Sequence, residues 1–133
     1  MTRRELREHI FKLLFFVEFH REDEMPQQLR LYFEELGEVQ EKDQSYIQEK
    51  YERIKKALPR IDERLSEVAK GWRPERMGKV ELAILRLAVY EMKDDDDIPV
   101  GVAINEAVEL GKTFGGEDSS AFINGILAKL VEE

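Results

Sequence analysis

Three arginines stand among the first seven residues of a chain that is acidic as a whole. Arg3, Arg4 and Arg7 precede Phe11 and Phe15, whereas all 133 residues include 21 Lys and Arg against 29 Asp and Glu, a formal net charge of -8. At about 100° per helical residue, the arginines gather in one arc of roughly 100° with both rings on the same flank. Guanidinium groups suit phosphate, and aromatic rings stack on unpaired bases. The pattern is typical of a patch that binds single-stranded nucleic acid.

Two other interpretations of this start remain open. A solvated helix end is one of them, because Glu5 and Glu8 can balance the arginines. Against it, cations in a first helical turn oppose the macrodipole at a cost of about a few tenths of a kcal/mol each. Phe11 and Phe15 could instead anchor a protein partner or form the margin of the core, while Phe16 and Phe19 are expected to point elsewhere.

Most enzyme chemistries lack their residues in this sequence. There is no cysteine, which excludes disulfides, thiol nucleophiles and thiolate metal sites. Glycine-rich phosphate loops, dinucleotide fingerprints and serine nucleophile elbows are not found either. His9 and His20 are not spaced as a zinc pair, and the four aspartates at 94–97 should repel each other and stay in water rather than surround a metal ion. We therefore predict no catalytic residue, no metal site and no cofactor.

Helices must position these residues. Apolar residues recur at helical spacing along the chain, and no stretch alternates as a half-buried strand would, which predicts an all-α protein. The first helix should end at about His20. The expected helices begin near Thr2, Pro26, Asp43, Lys79, Pro99 and Asp118.

The segment KGWRPERMG interrupts the helical pattern with Gly71, Pro74 and Gly78. We interpret it as a joint between two small bundles packed together in one domain, covering about 1–70 and 71–133, with Trp72 packed there. The following segment, KVELAILRLAVYEM, is apolar nearly all round and is expected in the middle of a bundle. Arg86 within it then needs a carboxylate partner, so we favour a structural ion pair over a ligand role.

The order of several motifs is similar to that of a known family. ELAILRLAVYEM, DIPVGVAINEAVELGKTFG and DSSAFINGIL follow one another, and the opening RRELREHIFKLLF resembles an arginine-rich first helix. Together they resemble the NusB family of bacterial transcription antitermination factors over essentially the whole chain, although residues 20–68 match only in helical character. The resemblance implies an all-helical fold of two small bundles and a function that is not enzymatic.

The resemblance also implies partners. NusB-like proteins pair with a ribosomal protein that doubles as the factor NusE, bind single-stranded boxA RNA of ribosomal RNA leaders, and join RNA polymerase in an antitermination complex. No segment approaches the roughly 18 apolar residues of a membrane span, so we expect a cytoplasmic protein without a membrane partner. A helical adaptor that binds only protein is the alternative. A heptad seam in the third helix leaves a homodimer open, although packing within the domain is favoured.

Site residues follow from the resemblance one at a time. The RNA-binding residues that it implies are Arg3, Arg4, Arg7, Asp118 and Phe122. A carboxylate such as Asp118 can accept a hydrogen bond from a base amino group, although a role as helix cap is equally open.

Contacts to the ribosomal partner are implied for Phe15 and Glu81. Two departures from the family pattern stand out. Phe15 replaces a common tyrosine, and Ala121 stands where some relatives carry a basic residue, which implies weaker RNA affinity for the free protein.

Overall fold

The computed structural model describes residues 1–71 and 73–132, and within these ranges the chain is helical and contains no strand. The all-α prediction is confirmed. The predicted packing of Trp72 lies outside the described residues. The α-helices are α1 Arg3–Phe16, α2 Met25–Leu36, α3 Glu41–Val68, α4 Lys79–Lys93, α5 Val100–Phe114 and α6 Ser119–Val131, with short 3-10 helices at Val17–Phe19, Glu22–Glu24 and Pro74–Arg76.

Helix α1 begins where the sequence predicts and ends earlier. The Thr2 hydroxyl accepts from the Glu5 amide at 3.1 Å, and the Glu5 carboxylate accepts from the Thr2 amide at 3.1 Å, a reciprocal capping box. The prediction that α1 continues to about His20 is wrong. The α-helix ends at Phe16 and tightens into a 3-10 turn before His20 turns extended, a frequent way for a helix to end.

Helix α4 is the central element of the fold, as its all-round apolar sequence predicts. Every residue at positions 82–91 is buried, and α4 packs against α1, α3, α5 and α6. The predicted ion pair of Arg86 is confirmed, because its guanidinium donates to Asp62 at 2.8 Å and to Glu18 at 2.9 Å.

Side-chain pairs give the direction of the helices around α4. Helix α1 runs antiparallel to α4, since Arg7 near its start pairs with Glu91 and Glu18 beyond its end pairs with Lys79. Helix α6 runs parallel to α4, because Ser119 contacts Glu81 at one end and the Leu130 carbonyl accepts from Lys93 at the other. We call these two ends of α4 the Glu91 end and the Glu81 end. Ten residues separate the two glutamates, about 15 Å along the axis.

The interruption between α3 and α4 occurs where Gly71, Pro74 and Gly78 predict it. Gly71 has a φ of 82°, Pro74 opens a 3-10 turn, and Gly78 precedes α4 as its cap. The division into bundles of about 1–70 and 71–133 stays a prediction, and α1 packs against both α3 and α4. In the part of the chain that the structure describes, no helix is long and apolar enough to cross a membrane.

Candidate nucleic-acid interface

Arg7 lies inside the protein and faces a carboxylate of α4. Its side chain is 7% exposed, and its Nε donates to the two Glu91 oxygens at 3.0 and 3.2 Å. Lys50 of α3, 2% exposed, donates to the same carboxylate at 2.7 Å. Burial alone would lower the pKa of Lys50, but the charge and hydrogen bond of Glu91 raise it above its ordinary value. Arg7 therefore presents no open guanidinium edge to a phosphate.

Arg4 lies on the surface between α1 and α5. Its guanidinium donates to the Glu106 carboxylate at 3.1 and 3.3 Å, while 67% of its side chain remains exposed. Glu106 also lies 3.8 Å from Arg7. Exposed pairs of this kind contribute about 0–1 kcal/mol, so a phosphate can compete for Arg4 at little cost.

Arg3 is exposed and, among the described residues, forms no ion pair. It lines a cleft toward α3 rather than the surface of α5. The three arginines, which share one arc on a helical wheel, thus occupy three environments. Carboxylates from α4 and α5 offset the unfavourable position of two of these cations in the first turns of α1.

Asp118 and Phe122 lie at the Glu81 end. Asp118 occupies the cap position of α6 and is exposed, but its side chain makes no capping hydrogen bond. Ser119, the first residue of α6, ties the preceding loop to α4 instead, because its hydroxyl accepts from the Gly116 amide at 2.9 Å and donates to Glu81 at 2.6 Å. Phe122, one turn further, is half-buried and packs at the edge of the core.

The residues expected to contact a protein lie along the end of α1 and the start of α4. Phe15 is half-buried, and its ring centroid lies 4.9 Å from that of Phe19, which is 57% exposed. The expectation that Phe19 points elsewhere is wrong, and its i, i+4 spacing from Phe15 could have shown this. Phe11 belongs to the core, 3% exposed and 5.0 Å from the ring of Phe114, so it is not available for stacking on RNA.

The aspartates at 94–97 also depart from expectation. Asp94 pairs with Arg60 at 2.9 Å and Asp95 with Lys50 at 3.2 Å, which leaves these carboxylates 23% and 17% exposed. The expectation that all four stay in water is therefore wrong for two of them. In the described ranges, no group of three or more His, Cys, Asp or Glu side chains could hold a metal ion.

The predicted RNA-binding residues form two groups rather than one site. Arg3, Arg4 and Arg7 lie at the Glu91 end, whereas Asp118 and Phe122 lie at the Glu81 end. The exposed face of α5 runs between the two groups. Glu106 of α5 lies near the arginines, and Gly116, just after the end of α5, lies near Asp118 and Phe122. A stacked strand rises about 3.4 Å per nucleotide, so about four or five nucleotides would cover the roughly 15 Å between the ends.

Comparison with known proteins agrees with this architecture. Residues 4–132 match the family model of the NusB family. A transcription antitermination protein NusB from Lachnoclostridium phytofermentans is 47% identical over 132 residues, covering 99% of this chain and 100% of that protein. A protein of the same name from Agathobacter rectalis is 49% identical over 129 residues, covering 97% and 98%.

Solved structures show the same fold. The structure of T. maritima NusB matches with a TM-score of 0.87 and 35% identity, covering 100% of this chain and 92% of that one. A chain from a complex of the antitermination factors NusB and NusE with double-stranded RNA matches with a TM-score of 0.82. Its identity is 21%, with 98% and 96% of the two chains covered, so this likeness concerns the fold.

Proposed function

The chain belongs to the NusB family, and from that premise we propose that it is a non-enzymatic transcription antitermination factor. It binds single-stranded boxA-type RNA of ribosomal RNA leaders together with the ribosomal protein NusE. The pair then joins RNA polymerase in the cytoplasm and promotes processive elongation. The observation that carries this proposal is the family match over residues 4–132, combined with surface-accessible arginines at one end of α4 and an exposed acid at the other.

The RNA strand would lie across α5. Arg3 and Arg4 neutralise phosphates near the Glu91 end, where Arg4 exchanges its Glu106 partner for phosphate. At the Glu81 end, Asp118 accepts from a base amino group and the edge of Phe122 contacts a base. We assign Arg7 a different role, since its guanidinium is buried against Glu91. It holds the start of α1 on α4 and so positions the other two arginines.

NusE would dock beside this path. The exposed aromatic edge of Phe15 and Phe19 supplies an apolar contact, and Glu81 supplies a carboxylate whose orientation the Ser119 hydroxyl maintains. In this arrangement the partner lies close to Asp118, which precedes Ser119 in the chain. Protein and RNA contacts at the Glu81 end would then support each other.

A protein-only adaptor is the second candidate. It is favoured by one observation, namely that Arg4 and Arg7 already have carboxylate partners, so little positive charge is free in α1. Such an adaptor would bind NusE tightly in the absence of RNA and would show no dependence on RNA at low salt. A homodimer that covers the RNA face would also bind RNA weakly. It would be distinguished from the adaptor by its molecular mass in solution.

A salt-dependent titration separates these candidates. Fluorescent boxA-type single-stranded RNA is titrated with the protein, with and without NusE, at several salt concentrations. We expect NusE to tighten binding, and we expect the double variant Arg3→Ala/Arg4→Ala to flatten the log–log salt slope by about 1.4. The matched control is Arg21→Ala/Arg30→Ala, again two exposed arginines, of which Arg21 has a carboxylate partner and Arg30 forms no ion pair within the described residues. Tight NusE binding without selective RNA binding would favour the adaptor instead.

A further inference from the structure

A cleft opens between α1, α3 and the loop after α4, on the side of α1 that faces away from α5. Its volume is about 740 Å³, which lies within the range of about 300 to 1000 Å³ that is usual for small-ligand sites. We propose that this cleft is a second contact for the RNA strand, in which Arg3 and Arg53 bind phosphates and Tyr46 stacks on a base. The inference rests on the proposed function, because it concerns the same RNA.

The two arginines of the cleft differ from their neighbours in having no carboxylate partner. Arg3 on α1 and Arg53 on α3 are exposed and form no ion pair within the described residues, whereas Arg7 and Lys50 are fully engaged by Glu91. Free guanidinium groups on two helices can bind successive phosphates of one strand. Arg3 thereby continues the path from Arg4 around the start of α1.

Tyr46 offers a ring that is already held in place. It is 38% exposed, and Lys50 both donates to its hydroxyl at 3.3 Å and lies 5.6 Å from its ring centroid. Lys50 is itself fixed by Glu91 and Asp95. Tyr46 and Arg53 are seven residues apart on α3, so they share a helix face. A base can therefore stack on Tyr46 while its phosphate meets Arg53.

The loop after α4 limits what the cleft can bind. Asp94 and Asp95 are paired with Arg60 and Lys50, whereas Asp96 and Asp97 are exposed and form no ion pair within the described residues. These two charges repel a phosphate placed against the loop and accept hydrogen bonds from base amino groups. The cleft thus admits a strand with its phosphates toward the two arginines, and it disfavours unselective binding of polyanions.

The test compares a short and a long RNA in the complex with NusE. An RNA of about five nucleotides spans the path between the two ends of α4, and one of about ten nucleotides also reaches the cleft. On the long RNA, Arg53→Ala should flatten the salt slope by about 0.7, and Tyr46→Ala should weaken binding at least about fivefold without changing the slope. Tyr46→Phe, which keeps the ring, should bind as wild type. On the short RNA all three variants should match wild type.

Further variants keep the proposal falsifiable. Asp96→Asn/Asp97→Asn should tighten binding of the long RNA, because two repelling charges are removed. Arg30→Ala, an exposed arginine on α2, is the control and should have no effect beyond a general charge change. Thermal melting of each variant establishes that it is folded.

The outcomes distinguish the cleft from the proposed function. If Arg3→Ala/Arg4→Ala flattens the slope while the variants at Arg53, Tyr46 and the aspartates leave long-RNA binding unchanged, the cleft inference is overturned and the proposed function stands. If wild-type protein with NusE binds neither RNA, both are overturned.

Discussion

The two ends of α4 are built on different principles. At the Glu91 end, Arg7 and Lys50 share one carboxylate, and the three side chains are 7%, 2% and 1% exposed. At the Glu81 end, Ser119 of α6 donates to Glu81 of α4 at 2.6 Å, and Gly115 closely approaches Ser119 where α5 meets α6. Glu18, 15% exposed, pairs there with Arg86 and Lys79. The first end therefore depends on one almost fully buried carboxylate, whereas the second combines more exposed ion pairs with close packing of small residues.

The difference teaches that local charge in the sequence is a poor measure of charge at the surface. The basic start of α1 is largely neutralised by carboxylates from other helices, whereas the plain DSSAF segment leaves Asp118 exposed. Buried ion pairs often add little net stability, but loss of one partner is costly. At the Glu91 end such pairs determine how α1 sits on α4, and with it where Arg3 and Arg4 point.

The largest effect should come from Glu91→Ala. It removes the carboxylate that Arg7 and Lys50 share and leaves only the more distant Glu106 and the loop residue Asp95 near these buried cations. The free energy of unfolding should therefore fall by about 3–5 kcal/mol. Urea denaturation measures this. Glu109→Ala is the control, since its pair with Lys112 is exposed and should be worth about 0–1 kcal/mol. Equal losses in the two variants would contradict the contrast between buried and surface charge.

A smaller loss is expected for Gly115→Ala at the Glu81 end. A Cβ there would meet the Ser119 side chain and stand 2.8 Å from the Gly111 carbonyl oxygen, so we expect a loss of about 1–3 kcal/mol. Gly116→Ala is the matched control, because a Cβ at Gly116 has no neighbour within 4 Å and the amide that Ser119 accepts is kept. The melting temperatures of the two variants are compared by thermal unfolding. Equal melting temperatures would refute tight packing around Gly115.

Acid should weaken the Glu81 end through Glu18. Burial alone would raise the pKa of Glu18, but hydrogen bonds from Arg86 and Lys79 lower it below its ordinary value of 4.5. A lowered carboxylate pKa contributes stability above 4.5 that is lost as the pH falls through the folded-state pKa. The stability gap between wild type and Glu18→Gln should therefore narrow from pH 6 to about pH 3. Glu35→Gln, at an exposed position, is the control variant. If the difference in unfolding free energy between wild type and Glu18→Gln did not change with pH, the result would argue against this ion pair.

The smallest effect on stability should be that of Arg4→Ala. The Arg4–Glu106 pair is exposed on the arginine side, so its loss should change the free energy of unfolding by less than about 1 kcal/mol. In the same variant the salt slope of RNA binding should flatten by about 0.7. A large loss of stability with an unchanged salt slope of RNA binding would show that Arg4 stabilises the fold at the Glu91 end and does not bind RNA.

Much of the fold could be predicted because it depends on neighbours in the chain. The capping box joins Thr2 and Glu5, three residues apart, and the all-round apolar pattern of α4 predicts its burial. Gly37, with a φ of 79°, ends α2 as expected of glycine. The family motifs indicated Asp118, but only the structure shows that its side chain makes no capping hydrogen bond.

The sequence by itself thus determined the class of the fold, the helix starts and the residues from which the family resemblance follows, since these depend on spacing within a few turns. Only the tertiary structure decided which charges are free. Arg7 meets Glu91 across 84 residues, Arg4 meets Glu106 across 102, and Lys50 meets Glu91 across 41. The reason is physical: helical periodicity states which side of a helix a charge occupies, but the Coulomb energy depends on the helix that packs against that side.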